Sequence, residues 1–173
     1  MSSTAAPRNP TPVAIAVAPN GARRTKADHP ALPLTAPELA RAAADCVEAG
    51  AAMMHLHVRD AAGRHLLDAA AYQEALAAIT SLVGDRLVLQ ITSESVGIYS
   101  APEQMAVVRA VRPEAVSLAL RELVPDAAAE GGFAEFLAWL ERERVAPQII
   151  VYSPEEASRL ADLVRRGLVP WDH

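Results

Sequence analysis

Cysteine is almost absent from this sequence: Cys46 is the only one among 173 residues. One thiol excludes an internal disulfide and suits a reducing cytoplasm. Its place beside Val47, in a stretch of helical spacing, marks it as a small core residue rather than a nucleophile. Aromatic residues are scarce at 4%, while hydrophobic residues reach 51% and alanine is plentiful. That mixture suits helices packed closely on a sheet, not an aromatic-rich binding surface. An excess of positive charge is lacking too. The net charge of -5 and the pI of about 5.5 argue against nucleic-acid binding, which calls for a basic face. No apolar run approaches the roughly 20 residues of a membrane helix. Residues 1–12 are small, polar and proline-containing, without the apolar stretch of a secretory signal, and read as a disordered leader. Nothing beyond them reads as a linker or a second domain, so residues 13–173 are expected to form one cytoplasmic domain.

What is present is an alternation. Val13–Val17 is the first strand candidate, ended by Pro19-Asn20-Gly21, where Gly21 is expected to turn with positive φ. Thr35-Ala36-Pro37-Glu38 reads as a capping box; Leu39, Ala43 and Cys46 follow at helical spacing, and Gly50 is a natural stop. Residues 51–58 form a second strand, and Asp68 caps a helix carrying Tyr72, Leu76 and Ile79 on one face. Residues 87–92 are a third strand, followed by a capping box at Ser100-Ala101-Pro102-Glu103. Residues 115–120 are a fourth strand, and Phe133, Phe136, Leu137 and Leu140 mark its helix. Residues 148–152 are a fifth, with Ser153-Pro154-Glu155-Glu156 opening a last helix that stops at Gly167. Strands alternating with helices across short connections imply a parallel sheet with right-handed crossovers. Two architectures compete, an open doubly wound sheet and a (β/α)8 barrel. Length alone favours the open sheet, since a barrel typically takes about 250 residues.

The chemistry gathers at strand ends. In His55-Leu56-His57-Val58-Arg59-Asp60, alternation puts His55, His57 and Arg59 on one face. Imidazoles about 7 Å apart by strand rise can lean onto one metal ion. Equally, they can be two hydrogen-bonded polar residues closing a strand. The loop Pro19 to Lys26 lies on the same rim, and Arg23, Arg24 and Lys26 could hold a carboxylate or phosphate there, or form a solvated basic loop. Thr92 at the third strand's end and Arg121 after the fourth are substrate-orienting candidates; Ser93, Glu94, Ser95 and Glu122 share their rim. His29, His65 and His173 read as scattered surface residues. No GxGxxG, P-loop or CxxC occurs, so a dinucleotide-binding reading lacks its fingerprint.

Several segments together resemble the β-keto acid cleavage enzymes, the family of 3-keto-5-aminohexanoate cleavage enzyme. They are Ala18-Pro19-Asn20-Gly21-Ala22-Arg23, residues 27–33 (ADHPALP), His55-Leu56-His57-Val58-Arg59-Asp60, Gln90-Ile91-Thr92 and Val151-Tyr152-Ser153. The resemblance runs from about Val13 to Pro170 and implies a (β/α)8 barrel of which this chain carries the N-terminal part, about five β/α units. It implies a zinc-dependent enzyme, usually a homo-oligomer, that condenses a β-keto acid with acetyl-CoA to give acetoacetate and a new acyl-CoA. On it, His55 and His57 match the Zn2+-binding histidines. Thr92 falls where a Ser or Thr helps to hold substrate and, with Arg59, is assigned to catalysis. Asn20, Arg23, Arg24 and Arg121 are assigned to substrate binding. The family's third zinc ligand is a Glu near its last strand, with an Asp and an Arg beside it, all expected beyond His173. An acidic residue that some members carry after the first strand is replaced by Arg23. Two alternatives accompany this reading. One is a truncated, non-catalytic relative acting as an oligomeric or binding protein, and the other a metal-dependent hydrolase, since HxH on a strand also occurs in amidohydrolase barrels.

Overall fold

Backbone donors left open at each helix start decide where the helices of this chain begin. The computed structural model describes residues 12–171; the leader expected over residues 1–12 therefore lies, but for Pro12, outside the described residues, as does His173. Helix α1 (Ala36–Glu48) starts where the Glu38 carboxylate accepts the N–H groups of Leu34 and Thr35 at 2.9 and 3.1 Å. Those bonds and an ion pair with Lys26 pull the Glu38 pKa down to about 2, the Lys26 contact contributing most. Asp68 caps α2 (Ala69–Val83) by accepting Ala71 N–H at 2.9 Å, and Glu103 accepts the Ser100 N–H at 2.8 Å before α3 (Ala101–Val111). After a short helical turn α4 (Leu120–Leu123) and a 3-10 turn (Ala127–Ala129) come α5 (Glu130–Glu143) and α6 (Pro154–Arg165), the latter capped by Ser153. Gly50 and Gly167 follow helices at φ of 94° and 71°, a region open to glycine at little cost.

Between these helices lie strands β1 (Ala16–Val17), β2 (Met53–Leu56), β5 (Val88–Thr92), β6 (Ala115–Ala119) and β7 (Ala146–Ile150). They make one parallel five-stranded sheet in the order β1-β2-β5-β6-β7, with no reversal at a switch point. The sequential order is that of an incomplete (β/α) barrel rather than a doubly wound sheet. Alternate strand residues divide between the two faces. Met54, Leu56, Leu89, Ile91, Val116 and Leu118 join Leu39, Tyr72, Ile79, Val108, Phe133, Phe136 and Leu140 of the helices in one buried core. The opposite parity, with His55, Gln90, Thr92, Ser117 and Gln148, lines the concave face. No described helix is long and apolar enough to cross a membrane.

The strand boundaries differ from those expected, for local reasons. The first strand keeps only Ala16 and Val17, because β2 pairs with just those residues and Val13 and Ile15 stay exposed. The second expected strand, 51–58, is broken at His57. There the Asn20 side chain takes both backbone groups: His57 N–H donates to Asn20 Oδ1 at 3.1 Å, and Asn20 Nδ2 donates to His57 O at 2.8 Å. Beyond the break, β3 (Val58–Arg59) turns back against β4 (His65–Leu66) as an antiparallel hairpin closed at Asp60 and Gly63. The fifth strand is shifted two residues toward the N-terminus, since Tyr152 N–H donates to the Glu156 carboxylate (2.9 Å) in the α6 cap instead of to a ladder. Gly21 does not have positive φ; its carbonyl instead accepts from Arg59 Nε at 2.8 Å.

Candidate functional site at the strand ends

Parallel strands bring their C-terminal ends to one rim, where ligands of this architecture bind. A cleft of about 510 Å³ opens there between the Gly21–Arg24 loop, His57, Glu94, Arg121, Glu122 and Tyr152. Beneath it, a smaller cavity of about 90 Å³ touches His55, Thr92, Glu94, Ser117 and Tyr152.

The two expected metal ligands converge. His55 leaves β2 on the concave face, and its Nδ1 lies 2.8 Å from Gln90 Oε1. Because Gln90 Nε2 donates onward to Gln148 Oε1 at 3.1 Å, Gln90 presents its oxygen to His55, so Nδ1 carries the proton and Nε2 a lone pair. His57, its backbone clamped by Asn20, brings its own Nε2 to 3.1 Å from that of His55, the ring centroids 5.0 Å apart. Two nitrogens about 2.0–2.1 Å from one tetrahedral zinc lie about 3.3 Å from each other, so this pair fits the cation with little movement. His57 is 5% exposed, and burial first, then His55, His65 and Arg59, pushes its pKa down to about 3. The ring is therefore neutral near pH 7, the form a metal requires. Its Nδ1 is buried without a hydrogen-bond partner among the described residues. Among the described residues no three His, Cys, Asp or Glu side chains are grouped to hold a metal by themselves.

The other expected site residues separate into two groups. Arg23, Arg24 and Arg121 line the cleft. Arg24 is paired with Asp28 at 3.0 Å, and Arg121 with Glu156 at 2.7 Å while lying 4.0 Å over the Tyr152 ring. Arg23 has no ion pair among the described residues. Thr92 is 2% exposed; its Oγ1 accepts from Ser117 Oγ and from Glu94 N–H, both at 3.0 Å, which leaves its own proton to donate. Asn20 and Arg59, by contrast, are occupied with backbone. Asn20 also donates to Pro33 O at 3.1 Å. Arg59 does not join the two histidines on their face: it is buried, donating to Gly63 O at 2.6 Å, Arg24 O at 3.0 Å and Gly21 O. It ties the basic loop to the hairpin that follows the strand break.

His65 is not the surface residue expected. It is 8% exposed on β4, its Nε2 donates to Glu94 O at 2.7 Å, and its ring stands 6.0 Å from that of His57. Burial lowers its pKa. No periodic sign announces this, because a two-residue strand in a hairpin has no period to read. Gln90, Ser117 and Gln148 had a signal: each is polar, lies in an apolar strand, and shares the parity of His55 once the parallel register is known.

Residues 12–173 match the sequence profile of the family described as beta-keto acid cleavage enzyme. Over 78 residues, 45% of the chain, the sequence is 36% identical to a 3-keto-5-aminohexanoate cleavage enzyme of Fusobacterium nucleatum subsp. nucleatum, covering 29% of that protein. The fold is similar to the solved ternary complex of ObcA with C4-CoA adduct and oxalate. The TM-score is 0.65 at 19% identity, over 80% of this chain and 35% of that one. At such identity the likeness is one of fold. The chain spans about a third of the length of these relatives.

Proposed function

Because the chain belongs to the β-keto acid cleavage enzyme family, we propose that its strand-end cleft takes a small β-keto acid and acetyl-CoA, with His55 and His57 holding a zinc ion. The reaction exchanges acyl groups across a carbon–carbon bond. The bond between the keto carbon and the carboxymethyl carbon breaks, the acetyl group of acetyl-CoA joins the carboxymethyl carbon as acetoacetate, and the remaining acyl group leaves on CoA. The observation that carries this reading is the meeting of the two Nε2 atoms at 3.1 Å, with the His55 proton held on the far nitrogen by Gln90. Zinc there supplies Lewis acidity to a keto oxygen.

The remaining roles belong to the chain itself. Arg23, without an ion pair among the described residues, and Arg24 and Arg121, each already sharing a carboxylate, attract the anionic substrate. Thr92, with its hydroxyl proton free and its oxygen fixed by two donors, orients the substrate in the small cavity below. Asn20 and Arg59, assigned on resemblance to binding and catalysis, act in this reading through what they hold: Asn20 sets the His57 backbone, and Arg59 sets the Gly21–Arg24 loop. We place the protein in the cytoplasm as a homo-oligomer, its single half-buried Cys46 needing no oxidising compartment.

A second reading is favoured by the histidine pair's having no third protein ligand among the described residues. On it, the polypeptide of these residues binds metal weakly and turns nothing over, acting as an oligomeric or binding protein. Zinc titration with an acetyl-CoA-dependent acetoacetate assay decides between them. The expected result for the enzyme is bound zinc and acetoacetate formation, with both lost in a His55→Ala, His57→Ala double variant whose circular dichroism is unchanged. Zinc content identical in the double variant removes the metal assignment, and zinc binding without acetoacetate supports the second reading.

A further inference from the structure

An imidazole has a single proton to place when neutral, and in this site its placement singles out another residue. His55 keeps its proton on Nδ1, facing Gln90 Oε1 at 2.8 Å, and so offers a lone pair at Nε2. With nothing between the rings, the His57 proton sits on Nε2 and is donated across the 3.1 Å to His55. His57 Nδ1 is then a bare lone pair, buried and without a partner. The group it faces is the Glu94 carboxylate, with Oε2 at 3.8 Å. Two acceptors turned toward each other repel, and the buried His57 Nδ1 is left unsatisfied.

A metal ion held by His55 and His57 would reverse this. His57 must then present its lone pair at Nε2, its proton passes to Nδ1, and Nδ1–H faces the carboxylate as donor to acceptor. Metal-bound histidines commonly hand their second N–H to such a partner, which fixes the tautomer and raises ligand basicity. We propose that Glu94 is the positioning residue for His57, receiving Nδ1–H and thereby holding the ring with Nε2 toward the metal. The proposal rests on the metal reading of the histidine pair given above.

The surroundings of Glu94 suit this role. Its backbone is fixed at both ends, the carbonyl accepting from His65 Nε2 at 2.7 Å and the N–H donating to Thr92 Oγ1 at 3.0 Å. Its side chain is 30% exposed, and its carboxylate has no hydrogen bond among the described residues. Closing 3.8 Å to a charge-assisted bond of about 2.8 Å therefore breaks no hydrogen bond of this carboxylate among the described residues. Two of the neighbouring charged or titratable groups are already engaged. Arg59 is turned to the carbonyls of Gly21, Arg24 and Gly63, and His65 is engaged with the Glu94 carbonyl. His65, carried on the β3–β4 hairpin, thus sets the backbone from which Glu94 reaches His57.

The test compares zinc affinity, by competition with a calibrated chelator, in the 173-residue chain and its Glu94→Gln and Glu94→Ala variants, alongside long-range proton–nitrogen spectra of the histidine rings. The variants are expected to lose about 10–100-fold in zinc affinity without change in circular dichroism. In the unaltered chain the His57 proton is expected on Nε2 without zinc and on Nδ1 with it. Should the variants not fold, the ring spectra of the unaltered chain decide alone. Zinc bound equally by chain and variants overturns the role of Glu94 and leaves the metal reading standing. A His57 proton that stays on Nε2 in the zinc-bound chain overturns the role of Glu94 and, with it, His57 Nε2 as a ligand. No zinc bound by the unaltered chain overturns both.

Discussion

Asn20 shows how one side chain can end a strand and aim a ligand at once. Its amide makes three bonds to backbone, two of them to His57 on either side of the ring that matters. Removing it leaves the His57 N–H and C=O without their partner in a part-buried place. Asn20→Ala is expected to lower unfolding stability by about 1–3 kcal/mol. It is also expected to weaken zinc binding, since the His57 ring loses its fixed base. Asn20→Asp keeps the acceptor and loses both donors, so it should fall between. Urea unfolding and zinc titration of the three proteins check this, and a silent Asn20→Ala means that packing, not the clamp, holds His57. The histidine pair, Thr92 and the three cleft arginines were legible as rim residues from alternation and order along the chain. Asn20 was read as part of a turn and as a substrate-binding residue, not as a clamp on His57. That it reaches 37 residues along the chain to His57 is a fact of packing that no local pattern carries.

At the scale of elements, the caps were the most readable feature, because capping is chemistry among residues three or four apart. Asp68 is a clear case, its Oδ1 accepting Ala71 N–H at 2.9 Å ahead of a helix that packs along α1. Asp68→Ala should cost about 1 kcal/mol with the urea m-value unchanged, since a cap is lost and the exposed surface is not altered. Asp68→Asn should restore most of it. A cost shared equally by both variants would locate the effect in charge rather than in the cap. Strand limits were less readable. The β3–β4 hairpin and the shift of β7 both arise where a side chain captures a backbone group that the ladder would otherwise use, Asn20 at His57 and Glu156 at Tyr152.

For the molecule as a whole, the outer strands set the behaviour. Among the described residues nothing pairs with the outer edge of β1 or of β7. Beside β7 runs a groove of about 480 Å³ lined by Val145, Pro147, Ile149, Leu160, Val164 and Trp171. Open parallel edges next to apolar surface favour association with other chains. A polypeptide of this sequence is expected to run larger than a monomer in size exclusion with light scattering, increasingly so with concentration. Val164 is 39% exposed within the groove, so Val164→Lys should shift the balance toward monomer while leaving the helix content intact. A single monomeric species at every concentration would show that these edges are protected in another way.

The alternation of the main strands and helices, the parallel sheet and the strand-end position of the candidate site could be read from the sequence, because they depend on periodicity, caps and the alternation of side chains, all of which are local. Which face was concave, which glutamines and hydroxyls join His55 on it, and that His65 and Glu94 crowd around His57 were decided by the tertiary structure. Among those contacts, His65 with Glu94 and Gln90 with Gln148 join residues 29 and 58 positions apart. Their pairing is set by sheet register and by the path of one hairpin, and neither is written in any segment read by itself.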